Sequence, residues 1–315
     1  MNILKCAVIG TGYFGKFHAQ KYATLDDCEL VAVADKDPAA SAAIASEVNA
    51  QSCSDYRTLI GTIDAASIVT PTATHYAIAH DLLDSGIHVL LEKPMTTSLE
   101  EADQLIKIAR QNDAVLQIGH IERFNPALTR IKHTITKPEF IEVLRLSGYQ
   151  SRNTEIGVVF DLMIHDLDIV LSLVGSEVES IHAKGVQVWS EEIDIINARL
   201  IFANGCVVNI TESRISLKSE RKIRIFSRSD GYHSIDLQSG TSEHYQIKDR
   251  NRRDFSRQSY PSIANADPLL DEIKHFVDCI KNKTPPKVGG SEGRSALVLA
   301  QRVHDSLLAN MTINL

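Results

Sequence analysis

Two short segments of this sequence hold residues able to move a proton. Glu92-Lys93-Pro94 follows the aliphatic run HVLL, so Lys93 is expected at the carboxyl end of a buried strand, where open α/β sheets bind ligands. A lysine there could hydrogen-bond a reacting hydroxyl and lower its pKa as a hydride leaves; the alternative is a surface lysine in a loop. The second segment, DLMIHDLD, places His165 four residues after Asp161 and three before Asp168. On a helix all three share one face, and a histidine held by a carboxylate could act as general base. Two other readings stay open on these residues alone. One is a divalent-metal site, which would need ligands from elsewhere although the chain has no HxH, HExxH or CxxC pattern. The other is a capped helix with a buried, satisfied histidine.

A third segment supplies a dinucleotide site. Gly10-Thr11-Gly12-Tyr13-Phe14-Gly15 follows the strand-like LKCAVI and opens a helix. The glycines suit a turn with positive φ, a close backbone approach to a pyrophosphate and tight packing of helix on strand. Free N–H groups at the helix start then face the phosphates. GxGxxG alone is equally compatible with a structural turn, but Asp35 ends the next strand, ELVAVAD, twenty positions beyond Gly15. A carboxylate there can accept from both adenosine ribose hydroxyls and would repel a 2′-phosphate, which favours NAD over NADP. The adjacent Lys36 works against that preference, and a turn aspartate before Asp37-Pro38 is the structural alternative.

The elements that must position these residues fall into two textures. Up to residue 120, short apolar runs (LKCAVIG, ELVAVAD, AASIVTP, HVLLEKP, AVLQIGH) alternate with helix candidates at Tyr13 to Leu25, Pro38 to Val48, His75 to Ser85 and Ser98 to Asn112. Runs without polar alternation read as parallel strands covered on both faces, hence a doubly wound Rossmann-type sheet. Beyond residue 120, FIEVLRLSGY, ARLIFANGCVVNIT, RKIRIFSRS and YHSIDLQSG alternate apolar with polar residues, with Asn204-Gly205 as a hairpin turn. These imply an open, largely antiparallel sheet in an α+β domain, flanked by helices from Thr154 to Val174 and from Asp267 to Asn282, the latter capped by Asp267 with Pro268 at its first position. The expected domains are 1–120, binding NAD, and 121–315, binding substrate and assembling the oligomer.

Composition narrows the function class. The 315 residues exceed one ordinary core, and 43% hydrophobic with 23% charged residues fits a folded chain. A net charge of −7 offers no basic field to nucleic acid, and the cluster Arg250, Arg252 and Arg253 sits between Asp249 and Asp254. No stretch approaches the roughly 20 apolar residues of a membrane span. Five cysteines without CxxC spacing suit a reducing compartment. With no leader-like segment at the start, a cytoplasmic protein is expected.

With these segments in place, the chain resembles the glucose-fructose oxidoreductase, inositol dehydrogenase and MocA (Gfo/Idh/MocA) family over nearly its full length. The matching landmarks are GTGYFG with His18-Ala19, Asp35, Thr70-Pro71 with His75, Glu92-Lys93-Pro94, Arg123-Phe124-Asn125-Pro126, and the DxxxHxxD of Asp161, His165 and Asp168. The resemblance implies that Lys93 and His165 line the reacting carbon with Asp161 orienting them. It also implies that Thr70, Pro71, His75 and Glu92 lie on the cofactor side, that no metal is required, and that the open sheet forms a homodimer, often within a homotetramer. GHIERFNPA (119–127) and VVFDLMIHDLDIV (158–170) look most like members that oxidise the 3-hydroxyl of UDP-N-acetylglucosamine. Arg123, with Asn125 nearby, would then either meet a substrate phosphate or shape the domain junction. A free-sugar or inositol dehydrogenase is the alternative within the family, and a non-catalytic NAD-sensing regulator the alternative outside it.

Overall fold

A computed structural model of the chain describes residues 3–148, 157–249, 251–252 and 254–311. The first residues of the expected Thr154 helix, Tyr149, Arg250 and Arg253 lie outside them. The chain divides into two compact units, Met1–Ile121 with Asp267–Arg294, and Glu122–Ala266 with Ser295–Leu315.

The first unit alternates strand and helix: β1 (Leu4–Ile9), α1 (Tyr13–Tyr22), β2 (Cys28–Ala34), α2 (Pro38–Val48), β3 (Gln51–Cys53), β4 (Ala65–Ile68), α3 (His75–Asp84), β5 (His88–Glu92), α4 (Leu99–Gln111) and β6 (Leu116–Gly119). The six strands are parallel in the order β3-β2-β1-β4-β5-β6. This order reverses between β1 and β4, and the crevice at their carboxyl ends is where such sheets take ligands. Helix starts follow local chemistry: Asp37 accepts from the amides of Ala39 and Ala40 with Pro38 in the first turn, and Ser98 accepts from Glu101. Only β3 escapes the sequence pattern, since three largely exposed residues carry no periodicity.

The second unit holds α5 (Pro126–Thr129), β7 (Phe140–Leu146), a π-helical turn over Val159–Met163, α6 (Ile164–Val174), β8 (Val178–Val186), β9 (Ile195–Phe202), β10 (Val207–Ser213), β11 (Glu220–Ser227), β12 (Gly231–Asp236), β13 (Thr241–Asp249) and β14 (Asp254–Tyr260). These strands form one sheet ordered β14-β13-β12-β11-β7-β10-β9-β8, antiparallel except for β7 with β10. Alternation decides the faces: Ile141 and Val143 of β7, Val208 and Ile210 of β10, and Ile223 and Ile225 of β11 enter the core with Leu167 and Val170 of α6. The hairpin turn at Asn204-Gly205 forms as expected, with Gly205 at φ 85°. The opposite face carries an aromatic row, Phe140, Phe226, Tyr232, Tyr245 and Phe255, whose successive ring centroids lie 5.1–6.0 Å apart.

Helix α7 (Pro268–Asn282) belongs to the first unit although its sequence follows the second sheet. Its apolar residues Ile273, Phe276 and Val277 pack with Tyr22, Val8 and Leu90, and Lys21 pairs with the cap Asp267 at 2.5 Å. The carboxy-terminal helix α8 (Gly290–Met311) then contributes Ala296, Leu299, Ala300 and Val303 to the second core.

His233 and His244, opposite each other on β12 and β13, stack with centroids 4.1 Å apart and planes 6° from parallel. Burial, then the neighbouring His244, lowers the His233 pKa to about 4, and Asp230 offsets this only in part. Thr134 lies 3.0 Å from its Nε2, and His244 Nε2 lies 2.6 Å from the Asp230 carbonyl. An unfolded histidine titrates near 6.5, so between about pH 6.5 and 4 the unfolded chain binds the extra proton and stability falls as pH falls. Denaturant titrations at pH 7.5 and 4.5 are expected to differ by on the order of 1–3 kcal/mol from this residue. His233→Phe is expected to shrink that difference; an undiminished one contradicts the assignment.

Candidate active site

In the first unit the sequence-expected cofactor residues gather at the carboxyl ends of β1, β2, β4 and β5. Gly10 takes φ 99°, and a Cβ there would lie 2.5 Å from the Val69 carbonyl oxygen; one on Gly15 would lie 1.9 Å from the Gly10 oxygen. The loop therefore closes against α1 only with glycine at both positions. Beside Gly12 a Cβ would meet nothing within 4 Å, and α1 starts there without a side-chain cap. An open backbone surface and uncapped amides make a cradle suited to a pyrophosphate. Tyr13 and Phe14, the next residues, are exposed.

Asp35 does more than the sequence indicates. Its Oδ2 accepts from both the amide and hydroxyl of Thr11 at 2.7 Å, and its Oδ1 accepts from Asp37 N at 3.0 Å. Burial pushes its pKa up, but the Asp37 and Thr11 bonds and the Lys36 charge outweigh burial, so the net shift is downward. A carboxylate offers about four lone-pair directions, which leaves capacity for ribose hydroxyls. Thr11, a position whose residue type the GxGxxG spacing leaves open, is thus the residue that ties Asp35 to the glycine loop.

Glu92 ends β5 and is pinned from three sides. His18 Nε2 lies 3.3 Å from Oε1, the Lys93 amide donates to Oε2 at 3.2 Å, and a Cβ on Gly119 would lie 2.9 Å from the carboxyl carbon. Burial raises its pKa, but the His18 bond and charge and the Lys93 charge prevail and lower it. Lys93 follows, half-buried, with a cis peptide to Pro94. His75 is buried, its two ring nitrogens 2.9 Å from the Pro94 carbonyl and 2.8 Å from the Thr70 carbonyl. Desolvation dominates and lowers its pKa. Set between the Pro94 and Thr70 carbonyls, the imidazole donates to one of them in its neutral form and to both only when protonated, and it braces the Thr70-Pro71 turn against the Lys93-Pro94 turn.

In the second unit, Asp161 lies in the π-helical turn and His165 in the first turn of α6, both half-buried. Single π turns recur at functional sites because the inserted residue re-aims its neighbours. Asp168 lies three residues after His165 within α6, and its carboxylate is engaged by another partner. It is buried and accepts from Arg123 NH1 at 3.0 Å, because that guanidinium needs a counter-charge where it enters the core. Asn125 likewise uses its amide internally: Oδ1 caps α5 through Ala127 N, while Nδ2 donates to Glu122 Oε2 at 3.1 Å and the Leu237 carbonyl at 2.9 Å. Arg123 and Asn125, expected either to meet a substrate phosphate or to shape the domain junction, are both tied into the frame of this unit.

The residue that sequence reasoning missed is Arg145. It is buried, and its Nε and NH2 grip Asp166 at 2.6 and 2.9 Å while NH1 reaches Glu122 at 3.2 Å. Burial disfavours its charge, but Asp166 and Glu122 overcome that and raise its pKa. Its cross-strand partner is Glu212, fully buried and pushed well above the ordinary carboxyl range, first by burial and then by Asp166. Both were detectable, since FIEVLRL places Arg145 on the Ile141–Val143 face and VVNITE places Glu212 on the Val208–Ile210 face. A charge on an apolar face marks a buried network. Among the described residues no group of three or more His, Cys, Asp or Glu side chains is arranged to hold a metal ion.

Comparison with known proteins agrees with this architecture. Residues 4–120 match the model of an oxidoreductase family with an NAD-binding Rossmann fold, and residues 130–229 match the GFO/IDH/MocA C-terminal domain. A UDP-N-acetylglucosamine 3-dehydrogenase of Acidithiobacillus ferrooxidans is 36% identical over 95% of this chain and 96% of its own length. Its solved structure superposes with a TM-score of 0.91 over 98% of this chain and 99% of that one. A myo-inositol 2-dehydrogenase of Thermotoga maritima is 26% identical over 99% of this chain and 98% of its own, and a scyllo-inositol 2-dehydrogenase (NAD(+)) of Bacillus subtilis 27% identical over 90% and 88%. The chain belongs to the Gfo/Idh/MocA family of oxidoreductases. Among its described residues, no helix is long and apolar enough to cross a membrane.

Arg145→Met would leave the Asp166 carboxylate buried without its cation and Glu122 with only the exposed Arg221 at 3.4 Å, a loss of about 3–5 kcal/mol for a broken buried pair. Chemical denaturation measures it. A loss below about 1 kcal/mol would show that Arg145 does not hold this segment.

Proposed function

We propose that the chain is an NAD-dependent dehydrogenase that oxidises the 3-hydroxyl of UDP-N-acetylglucosamine or a similar nucleotide sugar. The observation carrying this reading is the 36% identity, spread over almost the whole of both chains, with the Acidithiobacillus ferrooxidans enzyme of that activity. The inositol dehydrogenases among the relatives, at 26–27% identity, support a free-sugar or cyclitol substrate as the second reading.

The residues fit the cofactor. Gly12 and the start of α1 would hold the pyrophosphate, Asp35 the adenosine ribose, and the Thr70-Pro71 turn and Glu92 the nicotinamide side. When bound, NAD supplies the hydride acceptor. Lys93 donates a hydrogen bond to the substrate hydroxyl and stabilises the charge that develops on its oxygen. His165 takes the hydroxyl proton, and Asp161, one helical turn earlier, orients the imidazole and steadies its positive charge. His75, Glu92 and Arg145 act through these groups by fixing the turns that carry them. The carboxylate of Asp35 sets the preference for NAD, since a 2′-phosphate would face its charge.

Purified protein given UDP-N-acetylglucosamine and NAD, with an aminotransferase coupled to remove the keto product, is expected to form NADH, with a higher kcat/KM for NAD than for NADP. Silence there, beside turnover of inositol or a free sugar, would transfer the assignment to the second reading. In the same assay Lys93→Met and His165→Asn are each expected to lower kcat by roughly a hundredfold or more, with NAD affinity little changed. Full activity in either variant removes its residue from the mechanism.

We further propose that the open sheet face pairs two copies of the chain. Its aromatic row is partly exposed, with Phe226 and Phe255 at 38% and 55%. Phe226→Glu is expected to shift the sedimentation coefficient toward that of a monomer; a wild-type protein that already sediments as a monomer contradicts the pairing.

A further inference from the structure

The single tryptophan of the chain, Trp189, sits on the connection between β8 and β9 and is 67% exposed. Exposed loop tips are ordinarily polar and mobile, but this one is held by a buried carboxylate. Asp194 Oδ2 accepts from the amides of Val188, Trp189 and Ser190 at 2.8, 2.6 and 3.0 Å. Its Oδ1 accepts from Ser190 Oγ at 2.7 Å and Arg214 Nε at 3.0 Å, and Arg214 NH2 also donates to Ser190 Oγ at 2.8 Å. Burial of Asp194 raises its pKa, but these donors reverse the shift and lower it strongly. A fully buried charge with five donors thus fixes the backbone under an indole that gains little burial itself. Such rigidity does more for recognition than for folding.

The position of the loop says what it would recognise. Register places Leu146, Ser213, Ile195 and Val186 in one row across β7, β10, β9 and β8, next to the row holding Arg145 and Glu212. The Trp189 loop therefore projects from the sheet end at which Arg145 holds Asp166 beside His165, three strand spacings away, or about 14 Å. On the other side, a Cβ on Gly157 would lie 3.7 Å from Glu192 Oε2, so the loop also borders the start of the π turn bearing Asp161. Lys218 lies exposed on the β10–β11 connection at the same sheet end. A sugar at His165, a diphosphate along this rim past Lys218 and a planar base at its far side match the extent of a nucleotide sugar.

We propose that Trp189 is the stacking platform for the nucleobase of the nucleotide-sugar substrate bound by the same chain, an inference that rests on the nucleotide-sugar reading above. The flat indole recognises a base by its π-face, so it supplies affinity and selects nucleotide sugars over free ones without touching the reacting carbon. Because no other tryptophan contributes, intrinsic emission reports on this residue alone. With NAD present and excitation beyond uridine absorption, titration with UDP is expected to quench that emission saturably, and N-acetylglucosamine is expected to leave it unchanged. Trp189→Ala is expected to raise the KM for UDP-N-acetylglucosamine roughly tenfold or more, as loss of a base stack does, with kcat nearly unchanged and Trp189→Phe in between. An unaltered KM in Trp189→Ala, in a protein whose wild type turns over UDP-N-acetylglucosamine, overturns the platform and leaves the function standing. A wild type that is inactive on that substrate but turns over inositol or a free sugar defeats the nucleotide-sugar reading, and the UDP titration then decides alone: quenching sustains the base site, no response overturns it. Emission that shifts with protein concentration but not with UDP overturns it as well, assigning Trp189 to contact between copies.

Discussion

A guanidinium buried at the end of a strand is the constraint on which the second unit depends. Arg145 cannot be dehydrated without anions, and the anions it takes are Asp166, the residue after His165, and Glu122 at the start of the unit. Two parallel bonds to one carboxylate fix a direction as well as a distance. The start of α6 is thereby held to β7, and the π turn with Asp161 must fit between this anchor and the sheet. Glu212, directly across from Arg145, has its carboxyl pushed well above the ordinary range, first by burial and then by Asp166. Stability alone would be served as well by apolar side chains of similar volume. Fixing the start of the helix that carries His165 is the better account of the charge.

The first unit meets the same need with different chemistry. Its strand ends are brought together by close approaches that exclude any side chain, at Gly10, Gly15 and Gly119. Polar clamps then lock the turns that emerge. Thr11 joins the glycine loop to Asp35, His75 joins the β4 and β5 turns, and His18 with the Lys93 amide holds Glu92. Lys93, Asp161 and His165 are half-buried, whereas His18, His75 and Arg145, which fix the turns and the helix start around them, are buried. This separation is what preorganisation requires, because a group that changes its bonding during turnover cannot also be the group that fixes the geometry.

Much of this was legible from the residues. Continuous aliphatic runs gave the parallel sheet, alternation gave the second sheet, and the caps at Asp37, Ser98 and Asp267 appear where local hydrogen bonding demands them. What escaped was decided by partners distant in sequence. Helix α7 returns to the first unit because its apolar stripe fits α1 and β5, which no local pattern encodes. The Asp168 carboxylate is claimed by Arg123, 45 residues earlier, a partner that helical spacing does not reveal. The π turn also has no composition signature. Arg145 and Glu212 could have been found, since each interrupts an apolar face, but a charged residue in an alternating strand is easily assigned to solvent.

We propose, as the central point, that Lys93 and His165 serve a single substrate hydroxyl. A crystal structure of the protein with NAD and UDP-N-acetylglucosamine tests it most directly. The account requires the Lys93 ammonium and a ring nitrogen of His165 both within hydrogen-bonding distance of the sugar 3-hydroxyl. A complex in which either group points away from that oxygen, or in which another hydroxyl occupies the position, would contradict it.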